Sequence, residues 1–243
     1  MDHTTRESAQ VGAPSTDTDS DTDSDTDSDT GNPSATADPS ATDRSDAAGP
    51  PAGPLRLAVI VASNREGRFA PVVTDWFLSR AAAYGGLDVD VIDVARVDLP
   101  TALSFSPSDD VKAVLADVSP RLAAADAFVV VTPEYNHSFP AALKNLIDWH
   151  GSEWHAKPVG FVSYGGMSGG LRAVEQLRQV FAEMHATTIR ETVSFHGAWS
   201  HFDVDGRHKD PSGAETAAKA LLNQLTWWAR ALRDARSVRP YGG

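Results

Sequence analysis

Cysteine is absent from the 243 residues of the sequence. Disulfide bonds, thiolate nucleophiles and cysteine-ligated zinc or iron–sulfur centres are therefore excluded. No run of about eighteen apolar residues occurs, and no apolar stretch of signal-peptide length precedes Leu55, so we expect a cytoplasmic protein without a membrane-spanning helix. The Gly-x-Gly-x-x-Gly fingerprint and a P-loop ending in Gly-Lys-Ser/Thr are also missing. This argues against a Rossmann dinucleotide fold and against a P-loop nucleotide-binding site.

Large apolar side chains are scarce in residues 1–54, which consist mainly of Ser, Thr, Asp, Pro, Ala and Gly. This segment holds twelve of the 33 acidic residues but only two of the 21 basic ones, so it carries most of the net charge of −12. It cannot bury enough surface to offset its chain entropy, and we expect a disordered acidic leader followed by one domain over residues 55–243. Weak calcium binding by the Asp-Ser/Thr repeat between Asp17 and Asp29 is the alternative.

From Leu55 onward, apolar runs typical of strands alternate with helical patterns. The predicted strands are 55–62, 87–94, 127–131, 159–163 and 187–195. The predicted helices are 71–84, 109–124 with Ser108 as its N-cap, 140–150, 171–185 and 214–236, with a polar loop over 196–213. This alternation predicts an α/β fold, a flavodoxin-like three-layer sandwich around a five-stranded parallel sheet of order 2-1-3-4-5. In that order the loops after strands 1 and 3 face one another at the switch point, where such sheets bind ligands.

The loop after the first strand reads Ser63-Asn64-Arg65-Glu66-Gly67-Arg68 and leads into a helix. Backbone N–H groups at a helix N-terminus attract anions, and Ser63, Arg65 and Arg68 add a hydroxyl and two charged forks. We predict a phosphate site that comprises these three residues and Gly67. The alternative is a surface loop with two solvated arginines.

The loop after the third strand begins Pro133-Glu134-Tyr135-Asn136. Glu134 can accept a hydrogen bond from a ring N–H or brace a neighbouring loop, Tyr135 can stack on a ring, and Asn136 can donate and accept. These four residues suit a flat heteroaromatic ring with polar edges better than a metal or a nucleic acid. His137 could act as a general base, but a solvated histidine is the simpler interpretation.

The loop after the fourth strand, Ser163-Tyr164-Gly165 and on to Gly170, contains four glycines. Glycine lets the backbone approach a ligand closely, so we assign Ser163, Tyr164 and Gly165 to the same site. A flexible connector is the alternative.

Aromatic and histidine residues outside these loops are assigned more simply. Trp149 and Trp154 either face a partner or pack in the core, and we predict that Trp227 and Trp228 belong to the core. The loop histidines match no common metal motif in their spacing, so no metal site is predicted.

The combination of Ser63–Arg68, Pro133–Asn136 with Leu143-Lys144-Asn145, and Ser163–Gly166 resembles the NADPH-dependent FMN reductase family of flavodoxin-like proteins. The resemblance spans most of residues 55–193. One departure is Ala62, where the family commonly has glycine.

This resemblance implies that Ser63, Arg65 and Arg68 hold the phosphate of FMN. It also implies that Pro133–Asn136 line the isoalloxazine, while Ser163, Tyr164 and Gly165 meet its other edge. The expected reaction is hydride transfer from NADPH or NADH through FMN to a small acceptor such as a flavin or quinone, with no catalytic side chain. A homodimer or homotetramer is expected, with no nucleic-acid or membrane partner. The alternatives are a one-electron flavodoxin-type carrier and a non-catalytic flavin-binding sensor.

Overall fold

The computed structural model describes residues 53–242. Within that range the strands are β1 (Leu55–Val61), β2 (Leu87–Asp93), β3 (Ala127–Pro133), β4 (Pro158–Gly165) and β5 (Thr187–His196). The α helices are α1 (Ala70–Tyr84), α2 (Asp109–Ala124), α3 (Ala141–Asp148), α4 (Leu171–Glu183), α5 (Ala198–His201) and α6 (Pro211–Val238). The predicted acidic leader lies outside the described residues except for Gly53 and Pro54.

The five strands form one parallel sheet in the order β2-β1-β3-β4-β5. This confirms the predicted flavodoxin-like α/β fold. Strand β3 lies in the middle and is buried along its whole length, whereas β2 is an edge strand with partly exposed residues. The loops after β1 and β3 therefore leave the sheet side by side at the switch point.

Two apolar cores cover the two faces of the sheet. Because side chains alternate along a strand, Leu57 and Val59 of β1 face the core built with α1 and α6, while Ala58 and Ile60 face the core built with α2, α3 and α4. The result is the expected three-layer sandwich. Among residues 53–242, no helix is long and apolar enough to cross a membrane.

Local sequence signals set the helix ends. The hydroxyl of Ser108 accepts a hydrogen bond from the Val111 amide at 3.4 Å, and two aspartates occupy the first turn of α2, where the helix dipole favours them. Gly85 ends α1 with a φ of 78°, a conformation that side chains disfavour. Both boundaries agree with the sequence prediction.

Strand pairing places several candidate site residues on strand ends instead of in loops. Thr132 pairs with Ser163 and Pro133 with Tyr164, so β3 and β4 extend beyond the predicted strands. The predicted loop 196–213 is also shorter, because α5 forms within it and α6 begins at Pro211.

The tryptophans divide between core and surface. Trp154 is fully buried, and its ring centroid lies 4.8 Å from that of Phe128, so it belongs to the core. The prediction that Trp227 belongs to the core is wrong, because its residue surface is 63% exposed, while Trp228 is partly buried against the core. Successive helical residues differ by about 100°, so Trp227 lies nearly opposite buried Leu225 on α6.

Candidate functional site

Loops from β1, β3 and β4 meet at the carboxyl edge of the sheet. The Ala62 amide donates to the Val131 carbonyl at 3.0 Å, which holds the ends of β1 and β3 together. Beyond this point, the side-chain oxygens of Ser63 and Tyr135 lie 2.5 Å apart. The structure therefore brings together the predicted phosphate loop and the predicted ring-binding loop.

The loop after β1 presents backbone donors to solvent. Gly67 has a φ of 62°, which turns the chain toward α1. Within residues 53–242, the backbone N–H groups of residues 64–67 donate to no protein acceptor, and no carboxylate pairs with Arg65. The Arg65 guanidinium instead lies 5.6 Å from the centroid of the Tyr135 ring. Free amides and an exposed cation are what an anion such as a phosphate requires.

Arg68 lies in the same loop, but its guanidinium is occupied. It donates two hydrogen bonds of 2.5 Å to the carboxylate of Asp93 and a third to the Ser63 carbonyl. Although burial opposes ionisation of Asp93, the hydrogen bonds from Arg68 and the Ala95 amide hold the pKa of that carboxyl below its usual value. Arg68 therefore fixes the β1 loop to the end of β2.

Sequence reasoning missed Asp93. The available signal is that Asp93 lies one residue before the end of the second predicted strand, which finishes at the same sheet edge as the site. An acidic residue there is close to the β1 loop, but its choice of Arg68 over Arg65 depends on geometry that spacing does not give.

The turn after β3 is tightly folded. Tyr135 and Ser138 exchange backbone hydrogen bonds of 2.8 and 3.0 Å, and the two residues between them, Asn136 and His137, have φ values of 49° and 75°. Two consecutive positive φ values are typical of a type I′ turn and are strained for residues other than glycine. The side chain of Gln176 on α4 donates to the His137 carbonyl at 2.9 Å and helps to hold this turn.

Glu134 braces the neighbouring loop. Its carboxylate accepts hydrogen bonds from the Ser168 hydroxyl and, at 3.1 Å, from Arg172. Partial burial acts in the opposite direction, but these bonds hold the pKa of Glu134 below its usual value. Of the two roles open to Glu134 from the sequence, the geometry supports loop bracing.

The loop after β4 is held in place by serine side chains of β4 and β5. The Gly169 carbonyl accepts hydrogen bonds from Ser163 at 2.8 Å and from Ser194 at 2.9 Å. Gly170 has a φ of 87°, and a methyl group added there would lie 2.7 Å from Cβ of Ser163. This close approach requires glycine.

Ser163 and Tyr164 direct their side chains into the protein. Tyr164 is buried near Phe69, at a centroid distance of 6.3 Å, and burial raises the pKa of its hydroxyl. The surface offered at this edge is therefore the backbone of Gly165 and exposed Gly166. A flat ring can approach such a backbone closely.

The three loops suit an anion joined to a planar ring. The unpaired amides of residues 64–67 and the Arg65 guanidinium can donate to the anion. The Tyr135 turn and the glycine backbone after β4 can contact the ring. No general acid–base pair is needed where a cofactor carries the chemistry.

The fold places the protein in the flavodoxin-like class, with its candidate site at the switch point of the sheet. Residues 55–200 match the family model described as NADPH-dependent FMN reductase, and the chain belongs to that family. This confirms the predicted enzyme class, a flavin-dependent NAD(P)H oxidoreductase, and its cofactor FMN.

Relatives in several organisms carry related descriptions. The chain is 34% identical to an NAD(P)H-dependent FMN reductase of Schizosaccharomyces pombe, over 51% of this chain and 64% of that protein, which is slightly less than two thirds of its length. It is also 34% identical to a probable NADPH:quinone oxidoreductase of Oryza sativa, over 70% of this chain and 86% of that protein.

Solved structures show the same fold. The flavoenzyme NAD(P)H:acceptor oxidoreductase FerB of Paracoccus denitrificans has a TM-score of 0.56 at 22% identity, covering 72% of this chain and 97% of its own. An NADH:FMN oxidoreductase in its apo form has the same TM-score at 19% identity, covering 70% of this chain and 90% of its own.

Proposed function

We propose that the protein transfers a hydride from NADPH or NADH, through FMN, to a small acceptor such as a quinone or a free flavin. The nicotinamide loses two electrons and one proton, and a quinone gains two electrons with that proton and a second one from solvent. FMN supplies the redox chemistry when bound. The observation that carries the proposal is the 2.5 Å contact between Ser63 and Tyr135. It brings the loop with unpaired amides next to the turn whose tyrosine could contact a planar ring.

The phosphate of FMN would lie at the loop after β1. The free amides of residues 64–67 and the guanidinium of Arg65 would donate to it, with the Ser63 hydroxyl beside them. Gly67 provides the turn, and Arg68 holds the loop in place through Asp93. A charged hydrogen bond contributes roughly 1.5–3 kcal/mol, so a few such donors can anchor the dianion.

The isoalloxazine would lie against the loops after β3 and β4. Tyr135 and the backbone of Glu134 and Asn136 would line one edge, and the backbone at Gly165 would meet another. The remaining predicted site residues would support the site without contacting the ring through their side chains. Pro133 ends β3, and the side chains of Ser163 and Tyr164 are buried beneath the β4 loop.

Anaerobic reduction of the FMN-loaded protein tests the proposal. Addition of NADPH or NADH is expected to bleach the absorbance of the oxidised flavin. A flavin that dithionite reduces in one-electron steps, but that neither nicotinamide reduces, would indicate an electron carrier instead. A protein that takes up no FMN would contradict the site itself.

A quinone is the acceptor that the relatives favour, because several of them are described as NADPH:quinone oxidoreductases. Steady-state rates with a quinone, free FMN and ferricyanide should rank the quinone first by kcat/KM. A higher kcat/KM for free FMN would instead assign the protein to flavin reduction.

We infer a homodimer formed along α3. Side chains of α3 and the residue after it, Asn145 and Trp149, donate to the carbonyls of Leu99 and Pro100 at 2.7 and 2.8 Å and hold the following loop beside the helix. That loop exposes the apolar side chain of Phe105 completely, and a second copy would cover it.

Sedimentation should give the mass of a dimer. Phe105→Glu should shift it toward the monomer, whereas Val238→Glu, at another exposed apolar position, should not. A monomeric wild-type protein would contradict the inference.

We also propose a cytoplasmic location, because the reduced nicotinamide donor is available there. Cell fractionation against a cytosolic marker tests this proposal.

A further inference from the structure

The segment after β5 lies beside the candidate site and adds a fourth wall to the loops after β1, β3 and β4. The Gly197 amide donates to the Gly166 carbonyl at 2.8 Å, and His196 Nδ1 lies 2.9 Å from the Met167 carbonyl. At the other end of the segment, the Phe202 ring packs edge-on against Phe69 at 5.6 Å. The segment is therefore fixed both to the β4 loop and to the start of α1, directly after the anion-binding loop.

Short helix α5 in this segment presents Trp199 to solvent. Trp199 is 65% exposed, an unusual state for so large an apolar side chain. A methyl group placed on Gly166 would lie 3.9 Å from Cη2 of the indole, so the ring borders the glycine backbone of the candidate site. Exposed Met167 adds a second apolar side chain at the same place.

We propose that Trp199 binds the electron acceptor by stacking on its ring and so selects flat, conjugated ring acceptors such as quinones. This assignment rests on the proposed function. The indole offers a broad aromatic face, and an electron-poor quinone ring stacks well on such a face. The hydrogen bonds at Gly166 and Met167 fix the helix that carries the indole, so little conformational entropy is lost when an acceptor binds.

Stacking on Trp199 is a binding interaction that makes and breaks no covalent bond. A stacked aromatic pair is expected to change affinity by about threefold to tenfold. Ferricyanide is a small polyanion that has no ring to stack, so it serves as the reference acceptor. Trp227 on the outer face of α6 is 63% exposed and provides a matched control.

The test compares Trp199→Ala, Trp199→Phe and Trp227→Ala in the FMN-loaded, full-length protein. Isothermal calorimetry with menadione should show a Kd about threefold to tenfold higher for Trp199→Ala and a smaller rise for Trp199→Phe. The ratio of kcat/KM for menadione to that for ferricyanide should fall by a similar factor. Trp227→Ala should change neither quantity.

An unchanged menadione Kd in Trp199→Ala would overturn the assignment. So would a change of oligomeric mass in that variant, because Trp199 would then belong to a contact between copies. If neither nicotinamide reduces the wild-type flavin, the proposed function fails. Calorimetry still decides the binding role of Trp199 in that case, because it requires no turnover.

Discussion

Arg65 and Arg68 are three residues apart in one loop, yet their guanidinium groups meet different surroundings. Arg68 is half-buried and forms a bidentate ion pair with Asp93, whereas Arg65 is exposed beside the Tyr135 ring. A cation that is already neutralised adds less to anion binding than an unpaired one. At the scale of single residues, the partner therefore decides which arginine is available to a phosphate.

Replacing Arg65 by alanine should weaken FMN binding about tenfold or more, because one or two charged hydrogen bonds are lost. The free energy of unfolding should change by less than about 0.5 kcal/mol, since the side chain is exposed. Fluorescence titration and urea unfolding measure the two quantities. Arg190→Ala is the control, at an exposed position on β5; equal FMN affinity in the Arg65 and Arg190 variants would contradict the placement.

Replacing Asp93 by asparagine should destabilise the fold by about 1–3 kcal/mol at neutral pH, because Arg68 loses its partly buried ionic partner. The folded-state pKa of Asp93 is lowered, so its stabilisation is present above the unfolded value near 3.8 and is lost as the pH falls through the folded pKa. The difference in unfolding free energy between wild type and Asp93→Asn should therefore shrink below about pH 4. A difference that grows in acid would contradict the ion pair.

At the scale of elements, the β4 loop is shaped by close packing. Ser163 and Ser194 both donate to Gly169, and the chain then passes so near to β4 that Gly170 has no room for a side chain. Glu134 and Ser168 connect this loop to the turn after β3. These contacts hold the loop in one conformation, which argues against a flexible connector.

Gly170→Ala should destabilise the protein by about 1–3 kcal/mol, because it combines a positive φ with a 2.7 Å contact to Cβ of Ser163. Gly213→Ala is the matched control, because Gly213 lies in α6 with open space around it, and alanine is the better helix former. Urea unfolding should give opposite signs for the two variants. Equal effects would show that the β4 loop relaxes freely.

For the whole molecule, the sequence predicts the order of the layers better than the contacts at their edge. Alternating apolar runs and helical patterns specify a parallel sheet, and the positions of the polar loops indicate the switch point. The pairing of Arg68 with Asp93 joins residues that are 25 positions apart, and that of Glu134 with Ser168 joins residues 34 apart. Such pairs depend on side-chain positions after folding, which sequence spacing does not specify.

The error at Trp227 has a related cause. The tryptophan pair at 227–228 is apolar, but only one side of α6 faces the sheet, and adjacent residues cannot both occupy its centre. The helical period locates Trp227 correctly once buried Leu221 and Leu225 define the inner face.

Removal of residues 1–52 should leave FMN binding and NADPH oxidation intact, because every element of the described fold begins at or after Leu55. Steady-state kinetics of the shortened protein test this. Removal of residues 1–60 is the contrasting variant, because it deletes most of β1 and should abolish folding. Lost activity after the shorter deletion would assign the acidic leader a role in catalysis or stability.

The contact between Ser63 and Tyr135 links the loop after β1 to the turn after β3. A ligand bound at the β1 loop is therefore also expected to influence the position of this turn. Riboflavin lacks the phosphate group of FMN and would contact only the turn. We therefore expect the protein to bind FMN more tightly than riboflavin, through this linkage as well as through charge.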